Sequence, residues 1–157
     1  MSYEIERKFL VEGDFKRFAQ SSNHIMQGYI YSDRNKSVRV RLKGNKGYLT
    51  VKSNISDDSL IRNEWEYEVP AEDINEMLRL CSQIIEKTRY NVDYNGFLLE
   101  IDEFYGDNEG LIVAEIELAF ENQLFDKPSF LGKEVTGDSR YLNSELTKNP
   151  YCNWKES

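Results

Sequence analysis

Apolar and polar residues alternate with a period of two through most of the chain. From residue 37 to 43, Val38, Val40 and Leu42 face one way and Arg39, Arg41 and Lys43 the other. Successive side chains of a strand point to opposite faces, so this pattern predicts a strand with one apolar and one basic side. Gly44-Asn45-Lys46-Gly47 reads as a hairpin turn, and residues 48 to 53 return with Leu49 and Val51 against Thr50 and Lys52. Residues 62 to 69 set Arg62, Glu64, Glu66 and Glu68 against Asn63, Trp65, Tyr67 and Val69, and Pro70 ends the strand. Residues 84 to 92 carry Lys87 and Arg89 on one face. Residues 97 to 105 place Leu99 and Ile101 against Glu100 and Asp102. Residues 111 to 120 place Ala114, Ile116, Leu118 and Phe120 against Val113, Glu115, Glu117 and Ala119. Residues 25 to 31 read as a strand containing Gly28, with a turn at 33 to 36. Residues 3 to 11 put Glu4, Glu6 and Lys8 on one side, while Arg7 interrupts Ile5 and Phe9 on the other.

The period changes over residues 71 to 82, where Ile74, Met77, Leu78 and Cys81 form the stripe of an amphipathic helix. A short helix is also predicted over 12 to 22, from Gly13-Asp14, with Phe15 and Phe18 three apart, and a short closing helix over 139 to 146. Residues 53 to 60 read as a polar loop, and an irregular stretch begins at Pro128. Eight strands joined mostly by hairpin-length connections predict an antiparallel meander that curls.

Composition narrows the function classes. A chain of 157 residues is one domain with its own core. A formal net charge of −8 argues against nucleic acid and anionic membranes as partners. No apolar run approaches the length of a membrane span, and Met1 leads into charged residues rather than an apolar leader. Cys81 and Cys152 stand far apart, which predicts free thiols in a reducing, cytoplasmic setting, with Cys81 on the apolar helix stripe. His24 is the sole histidine, expected alone in a surface loop, so no Ser-His-Asp set is available. Gly44 and Gly47 suit a turn rather than a phosphate loop, since no Gly-Lys-Ser/Thr follows.

The charges are segregated by strand. Lys and Arg pairs mark some strands and Glu and Asp pairs others, always on one face. That face lies in water if the sheet is half-exposed, the arrangement general physics favours, because buried charges are costly unless paired or metal-bound. If the sheet closes with this face inward, the lumen holds both signs: basic walls to grip a polyanion, acidic walls to hold divalent metal against it. Glu4 and Glu6, about 7 Å apart along a strand, can share a hard cation, with Lys8 one step on for an anion.

The N-terminal Glu4-Ile5-Glu6-Arg7-Lys8 is an E-x-E-x-K motif. Together with Gln27-Gly28-Tyr29, Val38-Arg39-Val40-Arg41, Leu49-Thr50-Val51-Lys52, Arg62-Asn63-Glu64-Trp65-Glu66, Glu86-Lys87-Thr88-Arg89-Tyr90, Leu99-Glu100-Ile101-Asp102-Glu103-Phe104, Ala114-Glu115-Ile116-Glu117-Leu118, Leu131-Gly132-Lys133-Glu134-Val135-Thr136 and Arg140-Tyr141-Leu142-Asn143, it resembles the CYTH superfamily of triphosphate tunnel metalloenzymes, in its short bacterial form, over nearly the whole chain. The resemblance implies an α+β fold: an eight-stranded antiparallel β-barrel, closed or nearly closed, with a few flanking helices and the charged face inward. It implies Lys8, Arg39, Arg41, Lys52, Lys87 and Arg89 as ligands of the triphosphate. It further implies Glu4, Glu6, Glu115 and Glu117 as holders of Mg²⁺ or Mn²⁺, with Glu64, Glu66, Glu100 and Asp102 as further ligands or water-orienting groups. Lys8 and Tyr29 would act together near the scissile phosphate. The expected activity is metal-dependent hydrolysis of inorganic tripolyphosphate. Cyclisation of ATP, hydrolysis of thiamine triphosphate, or non-catalytic binding of nucleotide or polyphosphate are the alternatives, and a homodimer stays open.

Overall fold

The computed structural model describes residues 2–55 and 61–154. The alternating stretches become β1 (Ser2–Val11), β2 (Ser21–Ser32), β3 (Lys36–Lys43), β4 (Lys46–Asn54), β5 (Ile61–Val69), β6 (Ile84–Tyr94), β7 (Phe97–Phe104) and β8 (Ile112–Glu117). Helix α1 (Ala71–Leu78) lies between β5 and β6, and α2 (Asn143–Leu146) near the end. Every strand pairs antiparallel, in the order β5-β4-β3-β2-β6-β7-β8-β1. Pairing of β1 with β5, from Ser2↔Glu64 to Ile5↔Ile61, closes these eight strands into a barrel. The expected fold class is therefore the observed one. Two hairpins are as tight as their sequences suggest: Gly44 takes φ +59 between Lys43 and Lys46, and Asn95-Gly96 takes φ 52 and 85 between Tyr94 and Phe97. Positive φ at both central residues, as at Asn95-Gly96, or at the first alone, as at Gly44, gives a turn whose twist matches the flanking strands.

Four local expectations need correction. The helix over 12 to 22 is only a 3-10 turn at Lys16–Phe18. A three-residue spacing is the 3-10 period, and Phe15 and Phe18 both pack on Phe130, while Ser21 to His24 are already paired with β6. His24 accordingly sits on β2, exposed, 2.6 Å from the Glu86 carboxylate, and not in a loop. The stretch after Pro128 contains a ninth strand, β9 (Leu131–Glu134), which pairs with β1 beyond the point where β5 leaves it. The closing helix is split into a 3-10 turn, Ser139–Tyr141, and α2. Of the polar loop over 53 to 60, residues 56–60 lie outside the described residues.

The apolar core lies mainly outside the barrel. Phe9, Val92, Leu99, Ile101, Ala114 and Ile116 project outward from β1, β6, β7 and β8 and are covered by Phe15, Phe130 and Leu131. On the opposite side α1 inserts Ile74 against β3 and β4. There a Cβ on Gly47 would come within 2.6 Å of Ile74 Cγ1, and a Cβ on Gly28 within 2.6 Å of Cys81 Sγ. Both glycines are thus close-approach positions between helix and barrel. A second cluster stoppers one barrel end: Ile85, Phe104 and Val113, inward-facing at the ends of β6, β7 and β8, pack with Tyr141 and Leu146 of the closing segment. Apolar burial at this end gives the lumen a floor.

Candidate active site

The barrel's inner face is charged. A cavity of about 210 Å³ is lined, among the described residues, by seven carboxylates and eight cationic side chains, with Tyr29, Ser37, Thr50, Leu142, Asn143 and Ser144. Eight-stranded barrels are wide enough for side chains and one small ligand. The strand order sorts the charge. β7, β8, β1 and β5 are consecutive around the wall and supply Glu100, Glu115, Glu117, Glu4, Glu6, Glu64 and Glu66. β4, β3, β2 and β6 form the facing half and supply Lys52, Arg39, Arg41, Lys43, Lys87 and Arg89. Lys8 on β1 and Arg62 on β5 are the two cations in the acidic half.

Of the sequence-derived candidates, all but Asp102 line this cavity. Asp102 is 2% exposed and lies beneath the basic wall, 2.7 Å from Lys87 Nζ and accepting from Arg89 Nε at 2.8 Å and Nη2 at 2.9 Å. Burial pushes its pKa up, but Arg89 and Lys87 outweigh burial and hold it well below the usual carboxylate range. Tyr29 and Lys8 both face the lumen, and the Tyr29 hydroxyl accepts from Gln27 Nε2 at 3.5 Å.

Two cations stand out because no anion answers them. Lys8 is 8% exposed and Arg41 6%, and among the described residues neither has a carboxylate within ion-pairing distance. Arg41 donates Nε to Gln27 Oε1 at 2.9 Å, a neutral partner. Burial, with Arg39 and Arg89 nearby, pulls its pKa down to about 9. Buried charge without an ion-pair partner is destabilising, so an anion from outside would be stabilised at these positions. Arg39 Nε is likewise buried without a hydrogen-bond partner.

The acidic half has the complementary excess. Burial and the hydrogen bond that its carboxyl donates to Glu4 raise Glu64 to about 7, and burial plus Glu4, Glu6 and Glu100 raise Glu117. Carboxylates are the hard-oxygen donors a divalent cation takes, although among the described residues no three of them are gathered closely enough to hold an ion as the side chains lie. Arg62, which the sequence reading left outside the site, already answers part of this charge: its Nη2 donates to Glu4 Oε1 at 2.8 Å and to Glu6 Oε1 at 2.7 Å. Lys52 donates to both Glu4 oxygens at 2.9 and 3.0 Å. Gln27 and Asn143 were also missed. Arg62 shares the strand face of Glu64 and Glu66, so its parity was a usable signal, whereas lone amides carry none.

Lys87 supplies a pH prediction. Burial, with Arg89 and Arg41 adding repulsion, draws its ammonium down to about 7 despite Asp102. A bound polyanion favours the charged form and raises this pKa, so binding takes up a proton and weakens as pH rises above about 7. Calorimetric titrations with tripolyphosphate at pH 8 in buffers of different ionisation enthalpy should show this uptake, and Lys87→Met should lose it. Equal uptake in the variant would remove Lys87 as its source.

The fold is thus a closed antiparallel barrel whose lumen is divided between a basic and an acidic wall. The chain belongs to the CYTH domain family, whose model matches residues 2–150. It is 52% identical over 158 residues to an inorganic triphosphatase of Acetivibrio thermocellus, covering 99% of this chain and 100% of the relative. An inorganic triphosphatase of Nitrosomonas europaea is 35% identical over 152 residues, covering 91% and 95%. A crystal structure of an inorganic triphosphatase superposes with a TM-score of 0.68 at 31% identity, covering 94% of this chain and 95% of that one.

Proposed function

We propose that the chain hydrolyses inorganic tripolyphosphate inside the barrel, with Mg²⁺ or Mn²⁺ held on the acidic half. The observation that carries this is the pair of buried, unanswered cations Lys8 and Arg41 facing a carboxylate-rich wall across a cavity of about 210 Å³. The two inorganic triphosphatases to which the chain aligns end to end support the same reading.

Lys8, Arg39, Arg41, Lys52, Lys87 and Arg89 take the phosphate oxygens. Arginine's planar fork suits two oxygens at once, and lysine acts as a point charge. Glu4, Glu6, Glu115 and Glu117 would hold the cation, with Glu64, Glu66 and Glu100 beside them. When bound, the cation neutralises phosphate charge and acidifies water. Lys8 and Tyr29 reach the lumen from opposite sides, since β1 and β2 face each other across the barrel, and from there they would orient the attacking water and the scissile phosphate between them. Water adds at a terminal phosphorus and the phosphoanhydride bond breaks, giving phosphate and diphosphate. The free thiols of Cys81 and Cys152 fit a reducing cytoplasm, and among the described residues no helix is long and apolar enough to cross a membrane.

Tripolyphosphate is expected to be turned over faster than ATP, without cyclic AMP as main product. Tyr29 is the one aromatic among the described lining residues, so little is available to stack adenine, and cyclisation requires the ribose hydroxyl to be positioned as well. Purified protein given tripolyphosphate, ATP and thiamine triphosphate at equal concentration, each with Mg²⁺ and with Mn²⁺, tests this by phosphate release and cyclic-nucleotide assay. Dominant cyclic AMP from ATP, with little phosphate from tripolyphosphate, would overturn it.

A further inference from the structure

Asn143, the first residue of α2, enters the lumen from its stoppered end. Its Oδ1 accepts from Lys87 Nζ at 2.8 Å and from Gln27 Nε2 at 3.0 Å. An ammonium has donors only, so the amide atom turned toward Lys87 must be oxygen. Gln27 is oriented by the same logic. Its Oε1 accepts from Arg41 Nε at 2.9 Å, and a guanidinium cannot accept, which leaves Nε2 for Asn143. Both acceptor sites of Asn143 Oδ1 are therefore occupied. Its Nδ2 lies on the other branch of the planar amide and has no acceptor among the described residues, although the side chain borders the cavity. Lys87, bonded to Asp102 and Asn143, keeps its third N–H for the lumen.

We propose that Asn143 is a substrate-positioning residue. Its Nδ2 donates to a phosphate oxygen of the bound triphosphate, while its Oδ1 keeps Lys87 and, through Gln27, Arg41 aimed at the same anion. This deepens the triphosphatase reading and rests on it. The geometry makes the closing segment a contact for the substrate as well as a stopper. Gln27 is 0% exposed and Lys87 1%, so neither bond can be exchanged for water, and the amide has one orientation only. A neutral donor suits this place. Another cation would add to the repulsion already acting on Lys87 and Arg41 from Arg89, whereas an amide N–H binds phosphate without it.

The decisive variant is Asn143→Asp. It is nearly isosteric and keeps an oxygen toward Lys87 and Gln27, but puts an acceptor where the donor stood. The KM for tripolyphosphate should rise about tenfold or more, the scale of a lost hydrogen bond to a charged group, with Tm maintained. If Asn143 only braces Lys87, the carboxylate braces it equally well, and an unchanged KM would overturn the proposal. A second measurement needs no altered fold. The Asn143 side-chain NH₂ signals in a ¹⁵N-correlated NMR spectrum of the wild type are assigned by their absence in the Asn143→Asp spectrum, or by selective Asn labelling if that variant does not fold. They should shift when the slowly hydrolysed diimido analogue of tripolyphosphate is added with Mg²⁺. Analogue binding that moves the arginine side-chain signals but leaves the Asn143 signals in place rejects this inference alone. No binding of the analogue at all rejects the triphosphatase reading, and this inference with it.

Discussion

Excess EDTA should stop phosphate release from tripolyphosphate, and adding back Mg²⁺ or Mn²⁺ should restore it. The reason is the charge balance of the lumen. Seven carboxylates and eight cationic side chains already nearly cancel, so an incoming triphosphate brings negative charge that the wall alone does not offset. Glu64 and Glu117 are already reluctant to ionise beside Glu4, and the arriving anion increases that strain. Arg62 and Lys52 are partly consumed by Glu4 and Glu6, which a divalent cation would release for the substrate. Transition-state stabilisation of several kcal/mol from a metal corresponds to a loss on the order of a hundredfold to a thousandfold when it is removed. Phosphate release that continues at full rate in EDTA, after dialysis against chelating resin, would refute the role given to the acidic half.

Asp102→Asn should destabilise the protein more than any substitution of a lumen carboxylate. Lys87 and Arg89, 1% and 7% exposed, would then face a neutral amide in place of their shared counterion. Breaking a buried ion pair from one side costs about 3–5 kcal/mol, because the remaining charge stays buried. For a chain of this size the fall in Tm is on the order of 10 °C. Saturating tripolyphosphate should return part of the loss, since it binds only the folded form and supplies negative charge to the same wall. Thermal melts with and without ligand check both statements. An unchanged Tm with lost turnover would instead place Asp102 among the residues acting on substrate or cation.

The strands and the membership of each face were legible in the alternation of residues such as Arg39, Val40, Arg41 and Leu42. Which face points inward was not. Inside and outside of a barrel differ only after closure, and closure depends on Ser2 to Ile5 meeting residues 61 to 64, a pairing no local pattern encodes. General energetics even favoured the wrong side, because it prices an isolated buried charge and not two opposed walls with a ligand between them. The family motifs decided the matter. Asp102 and Glu100 look alike in sequence, yet one is beneath the wall and the other on it: β6 holds Asp102 against Arg89 in register, and depth along the barrel does the rest. The 3-10 turn at Lys16–Phe18 and the short β9 were hidden for a simpler reason. Each is too brief to show a period.

Strand β1 is shared three ways, by β5 and β9 along one edge and β8 along the other. Its first residues both seal the seam and carry Glu4, so ring closure and assembly of the acidic half are one event. Contacts of β1 join positions about sixty residues apart at β5 and more than a hundred apart at β8, the kind of pairing that forms late because the intervening chain must be ordered first. An unsealed sheet would keep most of its hairpins and its basic strands, yet present them without their opposing half. The acidic wall is therefore complete only when β1 is paired along both edges, and not gradually as strands accumulate.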